Sequence, residues 1–370
     1  MSGCLIAGQR AERFWEACVV KVISLFNHKG GVSKTTTAFN LGWMLARKSQ
    51  RVLLVDCDPQ CNLTGMVLGL ESLETADSIQ GTRNGKPLNI REGLAPAFES
   101  RPTLIKAVDC AIIPKNDSLF LMPGHIGLAQ YEVTLGIAQE LSGSLLTLRN
   151  LPGSLRYLIN ATAEAYNINI VIIDMSPSLG AVNQNLFSTS DYFIIPMHPD
   201  YFSTMAVNSL SSVFPKWHAW AQAASQITAL KDAEYPFPQC NPSFLGYIIQ
   251  KYRPRSGAPS KAFQKWIDEL EESIAHTLIP VMEQCGMMLP LETYQLAGFS
   301  PEQPLLQMPD FNSLIASSQK HSVPIFELTP EQLEQQGRVL EITEGSQEQF
   351  KSLFSEAADR VVTLIDASSN

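Results

Sequence analysis

The segment KGGVSKTT, residues 29–36, is the sequence feature that most restricts how this chain can fold. It follows a short apolar run, Val19 to Phe26, and precedes residues with helical spacing from Thr35 to Arg47. A glycine-rich turn between a strand and a helix lets backbone N–H groups surround phosphate oxygens at the positive end of the helix. The segment therefore predicts a phosphate-binding loop in an α/β fold. The alternative is a glycine turn that merely joins strand to helix.

Other apolar runs are predicted to form further strands of the same sheet. They cover residues 51–55, 119–122, 168–173, 192–195 and 244–249. Helical stretches separate them, so we expect an α/β fold with a doubly wound, mostly parallel sheet and helices on both faces. Asp56, Asp58 and Asp174 follow two of these runs. Because ligands bind at the carboxyl ends of parallel strands, the aspartates and the phosphate loop are expected to lie together.

The length of the chain, 370 residues, allows two domains or one α/β unit with insertions. We predict an N-terminal extension over residues 1–18, one α/β domain over residues 19–330, and a C-terminal helical extension over residues 331–370 that docks on the core. Residues 71–117 are polar, rich in turn residues and weakly periodic, and we interpret them as an insertion. The phosphate loop and the three aspartates then belong to one domain.

Composition and charge restrict the classes of partner. The chain is 45% hydrophobic and 17% charged, which is typical of a globular protein and excludes a disordered one. Its 27 Lys and Arg against 36 Asp and Glu give a net charge of −9, so contact with nucleic acid requires a local basic patch. The candidate patch has five basic residues and no acidic one: Lys251, Arg253, Arg255, Lys261 and Lys265. A solvated helix and loop would show the same pattern.

Several patterns favour a soluble, cytoplasmic protein. The seven cysteines are scattered, without the close pairs of a zinc site or the density of a disulfide scaffold. No run of about 18 apolar residues occurs, and charged residues interrupt the N-terminal segment. Residues 349–365 have apolar positions at helical spacing, but their polar face has few basic residues. We therefore expect this helix to dock on the core, and we expect no membrane partner.

Four stretches carry a resemblance to a known family: NHKGGVSKTTTAFNLGWMLA, RVLLVDCDPQCNLTG, INIVIIDMSPSLG and FIIPMHPDYFS. Together they resemble the ParA/MinD family of deviant Walker A ATPases, most closely its ParA-type partition ATPases. The likeness extends from about residue 19 to residue 205, and a weaker one reaches about residue 328. The first two stretches are highly specific, because Lys29 before adjacent Gly30 and Gly31 forms the deviant Walker A motif.

The resemblance implies that ATP and Mg²⁺ are the cofactors. The residues that would bind the nucleotide are Lys29, Gly30, Gly31, Val32, Ser33, Lys34, Thr35 and Thr36, with Gln250, Pro309 and Asp310 around adenine. Thr35 and Asp174 would hold Mg²⁺, Asp174 through an ordered water, and Asp56 would support the metal and the loop. The catalytic candidates are Asp58, which would orient the attacking water, and Lys29, which would reach the phosphates of a dimer partner. Each aspartate could instead cap the turn that follows it, and Lys29 could be a solvated loop residue.

Three positions depart from the family pattern. Ser33 replaces the commoner Gly, which the loop accepts if the φ angle of Ser33 stays negative. Ser176 replaces the first of two prolines. Asp310 follows Pro309 where many partition proteins have a basic residue, and it weighs against DNA contact through that loop.

Two functions fit these patterns. In the first, Mg·ATP closes a homodimer that binds nonspecific DNA, and a ParB-like or other protein stimulates slow hydrolysis, which positions a plasmid, a chromosome or other cargo. Such a protein would be bacterial, cytoplasmic and nucleoid-associated. In the second, the nucleotide controls a protein-interaction module of the same fold, in a regulatory or defence complex without DNA. The run from Lys251 to Lys265 favours the first function, whereas the net acidic charge and Asp310 favour the second.

Overall fold

An eight-stranded sheet forms the centre of the fold. The computed structural model describes residues 20–69, 79–141, 146–252, 254–255, 258–311 and 313–368. The strands are β1 (Lys21–Leu25), β2 (Val52–Cys57), β3 (Thr82–Arg83), β4 (Lys86–Pro87), β5 (Ala111–Ile113), β6 (Asn116–Met122), β7 (Ile170–Met175), β8 (Tyr192–Met197), β9 (Ser243–Tyr252), β10 (Pro254–Arg255), β11 (Ala258–Pro259) and β12 (Leu306–Pro309). The order in the large sheet is β12-β9-β8-β1-β7-β2-β6-β5, and neighbours are parallel except for β5 and β6. The predicted doubly wound α/β fold is confirmed.

Helices cover both faces of this sheet. They are α1 (Lys34–Arg47), α2 (Asn62–Leu68), α3 (Ile90–Phe98), α4 (Tyr131–Glu140), α5 (Leu151–Ala165), α6 (Ala181–Ser188), α7 (Tyr201–Gln226), α8 (Thr228–Lys231), α9 (Lys261–Ser273), α10 (Ile279–Gln284), α11 (Leu291–Leu296), α12 (Leu314–His321), α13 (Pro330–Leu333) and α14 (Gly337–Ser368). Successive strand side chains enter opposite layers: Val171 of β7 lies in the layer under α3 to α7, and Ile172 lies in the layer under α1, α2 and α14. This double burial explains why the strands appear in the sequence as continuous apolar runs.

The carboxyl ends of β1, β7 and β2 meet at one edge of the sheet. Leu25 of β1 lies in register with Asp174 of β7, and Asp174 lies in register with Asp56 of β2. The segment between β1 and α1 leaves the sheet at this edge. The tertiary structure therefore brings the glycine-rich loop and the strand-end aspartates together, as the parallel topology predicts.

The segment interpreted as an insertion contains more regular structure than the sequence pattern indicated. Its first residues, 71–78, lie outside the described residues, and so does the predicted N-terminal extension, residues 1–18. The rest of the segment includes the β3–β4 hairpin, helix α3 and the edge strand β5. Asn89 caps α3 by accepting a hydrogen bond from Glu92 N, and Ile90 and Leu94 are buried. Elements this short have too few residues to establish a period, so the sequence pattern does not predict them.

The C-terminal helix α14 packs on the same hydrophobic layer as α1. Its buried residues include Phe350, Phe354, Val361 and Leu364, while its first turns are exposed. These apolar side chains recur at helical spacing and lie in the core layer. Among the described residues, no helix combines the length and the hydropathy needed to cross a bilayer.

Candidate functional site

The glycine-rich loop is anchored at one point and open elsewhere. The Val32 side chain is buried, whereas Gly30 and Gly31 are exposed. Gly31 has a φ of +74°, and a Cβ atom built on either glycine would meet no other described residue within 4 Å. The positive φ requires glycine or a strained residue. The loop therefore has open space in front of its backbone, at the start of α1.

Ser33 adopts a conformation that the sequence did not lead us to expect. It is the N-cap of α1 and has φ +58° and ψ +32°, which lies in the left-handed region. The expectation of a negative φ at this position is therefore wrong. An L-residue in this region costs about 1–2 kcal/mol, because its Cβ approaches the following carbonyl oxygen. The loop keeps the backbone geometry that glycine would provide and carries the strain of a side chain.

We expect Ser33→Gly to raise the free energy of unfolding by about 0.5–1 kcal/mol, since the relief of strain exceeds the entropy that glycine gains in the unfolded chain. Denaturant titration measures this change. The matched control is Ser33→Ala, which keeps the Cβ and should give no gain. A loss of stability in the glycine variant would contradict the assignment of strain to this residue.

Lys34 lies at the centre of the site. Its side chain is buried, and its Nζ donates to Asn27 O at 2.8 Å and to Lys29 O at 3.3 Å. Burial lowers the pKa of Lys34, and the carboxylates of Asp174 and Asp58 oppose that change. A buried lysine with carboxylates nearby can bind an anion only if the anion has room beside the ammonium. The open backbone of the glycine-rich loop provides that room.

Asp174 is a buried carboxylate with little support from protein donors. Neither of its oxygens makes a hydrogen bond of standard geometry among the described residues, although the Thr35 hydroxyl is close enough to lower its pKa, and the residue is 1% exposed. Burial raises its pKa to about 8, the neighbouring Asp56 adds to the increase, and Thr35 and Lys34 act in the opposite direction. Unpaired buried carboxylate oxygens next to a threonine hydroxyl fit a hard cation such as Mg²⁺, which takes oxygen ligands.

Asp56 accepts hydrogen bonds from protein donors at both of its carboxylate oxygens. Its Oδ2 accepts hydrogen bonds from Thr64 N at 2.8 Å and Thr64 Oγ1 at 2.6 Å, and its Oδ1 accepts one from Asp58 N at 3.2 Å. Burial raises the pKa of Asp56 to about 6, although these hydrogen bonds lower it. Both oxygens are thus engaged by protein donors. Asp56 therefore joins β2 to α2, and its predicted support of the metal and the loop stays a prediction.

Asp58 is placed where a catalytic carboxylate could act, and it also stabilises its own turn. It is 8% exposed and close enough to Lys34 to affect the pKa of that lysine. Its Oδ1 accepts a hydrogen bond from Gln60 N at 2.9 Å. One carboxylate oxygen of Asp58 therefore caps the turn. This hydrogen bond does not by itself decide between a capping role and a catalytic role.

Lys29 is held by an acidic partner that the sequence pattern did not identify. Its Nζ lies 2.5 and 2.6 Å from the two carboxylate oxygens of Asp200 and 3.1 Å from Ser203 Oγ. Asp200 is also the N-cap of α7, where it accepts a hydrogen bond from Ser203 N at 2.9 Å. The lysine is therefore not a freely solvated loop residue. Because 171 positions separate the two residues, no local sequence pattern could indicate this ion pair.

Large apolar side chains are exposed beside this ion pair. Tyr201, Phe202 and Met205 on the first turns of α7 are each more than half exposed, and Lys29 Nζ lies 5.9 Å from the centre of the Phe202 ring. The Tyr201 and Trp266 rings are 6.2 Å apart. Grouped exposed aromatic residues are typical of a surface that binds another protein.

The residues predicted to surround adenine are only partly brought to the site. Gln250 is fully buried, and its Nε2 donates to Thr37 Oγ1 of α1 at 2.6 Å. The Gln250 side chain thus contacts α1, and its predicted contact with adenine stays a prediction. Pro309 lies in register with Tyr252 at the end of β9, and Asp310 N donates to Tyr252 O at 2.9 Å. Both remain at the carboxyl edge of the sheet.

The predicted basic patch has a mixed charge where its side chains are described. The side chains of Lys251 and Arg255 and all of Arg253 lie outside the described residues. Lys261 is exposed at the start of α9, and Lys265 pairs with Glu269 at 3.5 Å. Four acidic residues follow on the same helix: Asp268, Glu269, Glu271 and Glu272. An exposed pair of this kind contributes little stability and reduces the positive charge available to phosphates.

A family model and several known proteins match the amino-acid sequence of this chain. A family model described as an AAA domain matches residues 20–224. An uncharacterised protein of Methanocaldococcus jannaschii is 32% identical over 248 residues, which cover 66% of this chain and 78% of that protein. The chromosome partitioning protein ParA of Myxococcus xanthus is 34% identical over 210 residues, which cover 56% of this chain and 62% of that protein. The match thus spans less than two thirds of the length of the partition relative.

Solved structures share the fold at low sequence identity. A Cyanothece McdA variant in complex with ATP has a TM-score of 0.52 at 18% identity and covers 89% of this chain and 96% of its own. The pNOB8 ParA structure bound to nonspecific DNA has a TM-score of 0.53 at 18% identity and covers 94% of this chain and 99% of its own. These similarities support the fold and carry no residue roles.

Proposed function

Because this chain belongs to the ParA/MinD family of AAA-domain ATPases, we propose that it is a switch that binds Mg·ATP, dimerises and hydrolyses the nucleotide slowly. One observation supports this function above the others. Among the described residues, the buried carboxylate of Asp174 makes no hydrogen bond of standard geometry, and it lies at the edge of the sheet where Lys34 and Thr35 begin α1. That arrangement costs free energy in the isolated chain, and a bound cation and triphosphate would remove the cost.

The loop would bind the phosphates through main-chain and side-chain donors. Residues Gly30 to Thr36 would present N–H groups at the positive end of α1, and the Lys34 ammonium would turn from backbone carbonyls toward phosphate oxygens. Thr35 and Asp174 would hold Mg²⁺, which when bound offsets negative charge on the phosphates. Because the Lys34 site is buried, its charge is screened less than that of a surface lysine.

Asp58 would hold the attacking water. Its carboxylate lies at the end of β2, and the hydrogen bond to Gln60 N uses one of its oxygens. A carboxylate at this position can orient a water molecule and accept its proton as the water oxygen bonds to the γ-phosphorus and the bond from that phosphorus to the ADP oxygen breaks.

Lys29 would change partners when the dimer forms. In the single chain its charge is neutralised by Asp200, and both side chains are partly exposed, at 20% and 31%. In a dimer the lysine would instead approach the phosphates of the other subunit, where its charge stabilises the transferring group. The exposed aromatic residues of α7 adjoin this position and would be covered in the same step.

We expect Asp200→Asn to promote ATP-dependent dimerisation. Asparagine keeps the N-cap of α7 but releases Lys29 from an ion pair worth about 0.5–1 kcal/mol, so half-maximal dimerisation should need about two- to fivefold less ATP. Size-exclusion chromatography over a range of ATP concentrations measures this shift. Lys29→Ala is the comparison: it also breaks the pair, but it should bind ATP and turn it over more slowly. An unchanged midpoint in the asparagine variant would exclude the exchange of partners.

DNA is the partner we propose for the dimer, with a ParB-like or other protein as the stimulating factor and a cytoplasmic, nucleoid-associated location. ParA of Myxococcus xanthus is a chromosome partitioning protein, and the pNOB8 ParA structure contains nonspecific DNA. The second candidate, a nucleotide-controlled protein-interaction module, is favoured by the net charge of −9 and by the acidic residues that follow Lys265. Local basic residues must act cooperatively in a dimer if DNA is to bind despite that charge.

Two measurements test these proposals in turn. Calorimetry with ATP and Mg²⁺ should give a saturable heat, and the absence of heat would exclude the nucleotide switch. A DNA-binding titration at several salt concentrations, with and without ATP, then separates the two candidates. ATP-dependent binding that weakens with salt supports the partition function. No binding at low salt with ATP present supports the protein-interaction module.

A further inference from the structure

A chain of hydrogen bonds links three segments behind the Asp58 carboxylate. Gly124 N donates to Thr64 Oγ1 at 2.8 Å, and that hydroxyl donates to Asp56 Oδ2 at 2.6 Å. The segments are the turn after β6, helix α2 and the end of β2. Asp56 and Thr64 are both fully buried. Water therefore cannot replace these bonds if one of them is removed.

Asp56 acts as the N-terminal cap of α2 from outside the helix. The residue at the N-cap position is Cys61, whose side chain makes no capping hydrogen bond and whose φ is +54°. The amide that an N-cap side chain would normally satisfy is Thr64 N, and Asp56 Oδ2 accepts from it at 2.8 Å. The negative charge also lies at the positive end of the helix. A strand-end residue thus fixes where α2 begins.

Gly124 also packs against the Asp56 carboxylate. A Cβ atom on Gly124 would lie 2.8 Å from Asp56 Cγ and 3.1 Å from the Asp56 carbonyl oxygen. Such distances are too short for non-bonded carbon and oxygen atoms, so the turn after β6 can pack here only without a side chain. The position of Asp56 is therefore restricted by Thr64 of α2 and by Gly124 after β6.

These contacts hold the short turn that carries Asp58. Residues 58–61 join Asp56 to α2, and Asp56 Oδ1 accepts from Asp58 N at 3.2 Å while Cys61 N donates to Asp58 O at 2.8 Å. We infer that Asp56 and Thr64 are positioning residues: their hydrogen-bonded pair fixes both ends of the turn and so sets where the Asp58 carboxylate lies. The inference deepens the proposed function, because it rests on Asp58 as the group that orients the attacking water.

Thr64→Val tests this inference, because it removes the hydroxyl and keeps the shape of the side chain. We expect ATP turnover to fall at least about tenfold while the ATP dissociation constant changes by less than about twofold, since the phosphate loop is untouched. Thr64→Ser restores the hydroxyl and should restore turnover. Gly124→Ala approaches the same carboxylate from the other side and should give the same separation of turnover from binding, which covers the case in which the valine variant folds poorly.

Amide hydrogen exchange of the chain without nucleotide gives a readout that does not depend on ATP. Exchange at Asp58, Thr64 and Gly124 should be at least about tenfold faster in Thr64→Val than in Thr64→Ser, while β1 and β7 stay protected. Thr162→Val is the matched control: this buried threonine also accepts from a backbone amide, Val108 N at 3.1 Å, but it lies on α5. It should leave exchange at Asp58 unchanged.

The outcomes separate the two proposals. Unaltered exchange at Asp58 in Thr64→Val, or a loss of ATP binding equal to the loss of turnover, would overturn the positioning role even if the parent protein hydrolyses ATP. Faster exchange at Asp58 that Thr64→Ser reverses supports the positioning of the turn. If the parent protein then shows no ATP turnover, the proposed function fails and the positioning of residues 58–61 stands.

Discussion

Lys34→Ala is expected to abolish measurable ATP binding. The ammonium is buried and donates to Asn27 O and Lys29 O, at the start of the glycine-rich loop. Hydrogen bonds to a charged group contribute about 1.5–3 kcal/mol each, so the loss of two to phosphate should raise the dissociation constant at least about 100-fold. Isothermal calorimetry with ATP and Mg²⁺ measures this directly.

Lys48→Ala is the matched control for this prediction. Lys48 caps the other end of α1 and pairs with Asp359 at 2.7 Å on the surface, so its removal costs at most about 1 kcal/mol of stability. It should bind ATP as the parent protein does. An alanine at position 34 that binds ATP within about threefold of the parent would mean that the loop is not the phosphate site.

Asp58→Ala is expected to bind ATP and form the dimer but to hydrolyse the nucleotide about 100-fold more slowly. Positioned general bases contribute about 10²–10⁴-fold to turnover, and the loop residues that bind phosphate are unchanged. Phosphate release gives the rate, and size-exclusion chromatography with ATP gives the oligomeric state.

Asp58→Asn separates catalysis from turn formation. The asparagine side chain can still accept the hydrogen bond from Gln60 N, so it preserves the turn while it removes the carboxylate that would accept a proton. If Asp58 only caps the turn, the asparagine variant should hydrolyse ATP at the parental rate. If Asp58 orients and deprotonates water, both variants should be slow.

The two variants also connect the catalytic proposal to the positioning proposal. Loss of the Thr64 hydroxyl should slow turnover less than loss of the Asp58 carboxylate, because a displaced carboxylate still samples the productive geometry. Combining Thr64→Val with Asp58→Ala should add little to the effect of the single alanine. Full additivity would mean that Thr64 acts on the reaction by a route that does not involve Asp58.

Much of the fold could be predicted because its signals are local. The apolar runs of β1, β2 and β7 are continuous because both faces of each strand are buried, and the loop between β1 and α1 has a distinctive composition. Helix α3 and strand β5 could not be predicted, since nine and three residues give weak periodicity.

The sequence did not indicate the partners of two site residues. Gln250 follows an apolar run at a sheet edge, as a ligand-binding residue would, and its amide donates to Thr37, which is 213 positions away. The partners of Asp56 are near in sequence, at Asp58 and Thr64, but no periodic pattern indicates which side chain donates to it. The positive φ angle of Ser33 could not be predicted, because no local sequence pattern indicates it.

The amino-acid sequence by itself determined the phosphate loop, the parallel sheet and the edge at which the aspartates end their strands, because strand periodicity and glycine content act over a few neighbouring residues. Tertiary structure alone decided that Thr64 of the following helix donates to Asp56, and that Asp200 holds Lys29. The physical reason is that a carboxylate's role depends on the donors around it, and folding brings those donors from positions as many as 171 residues away.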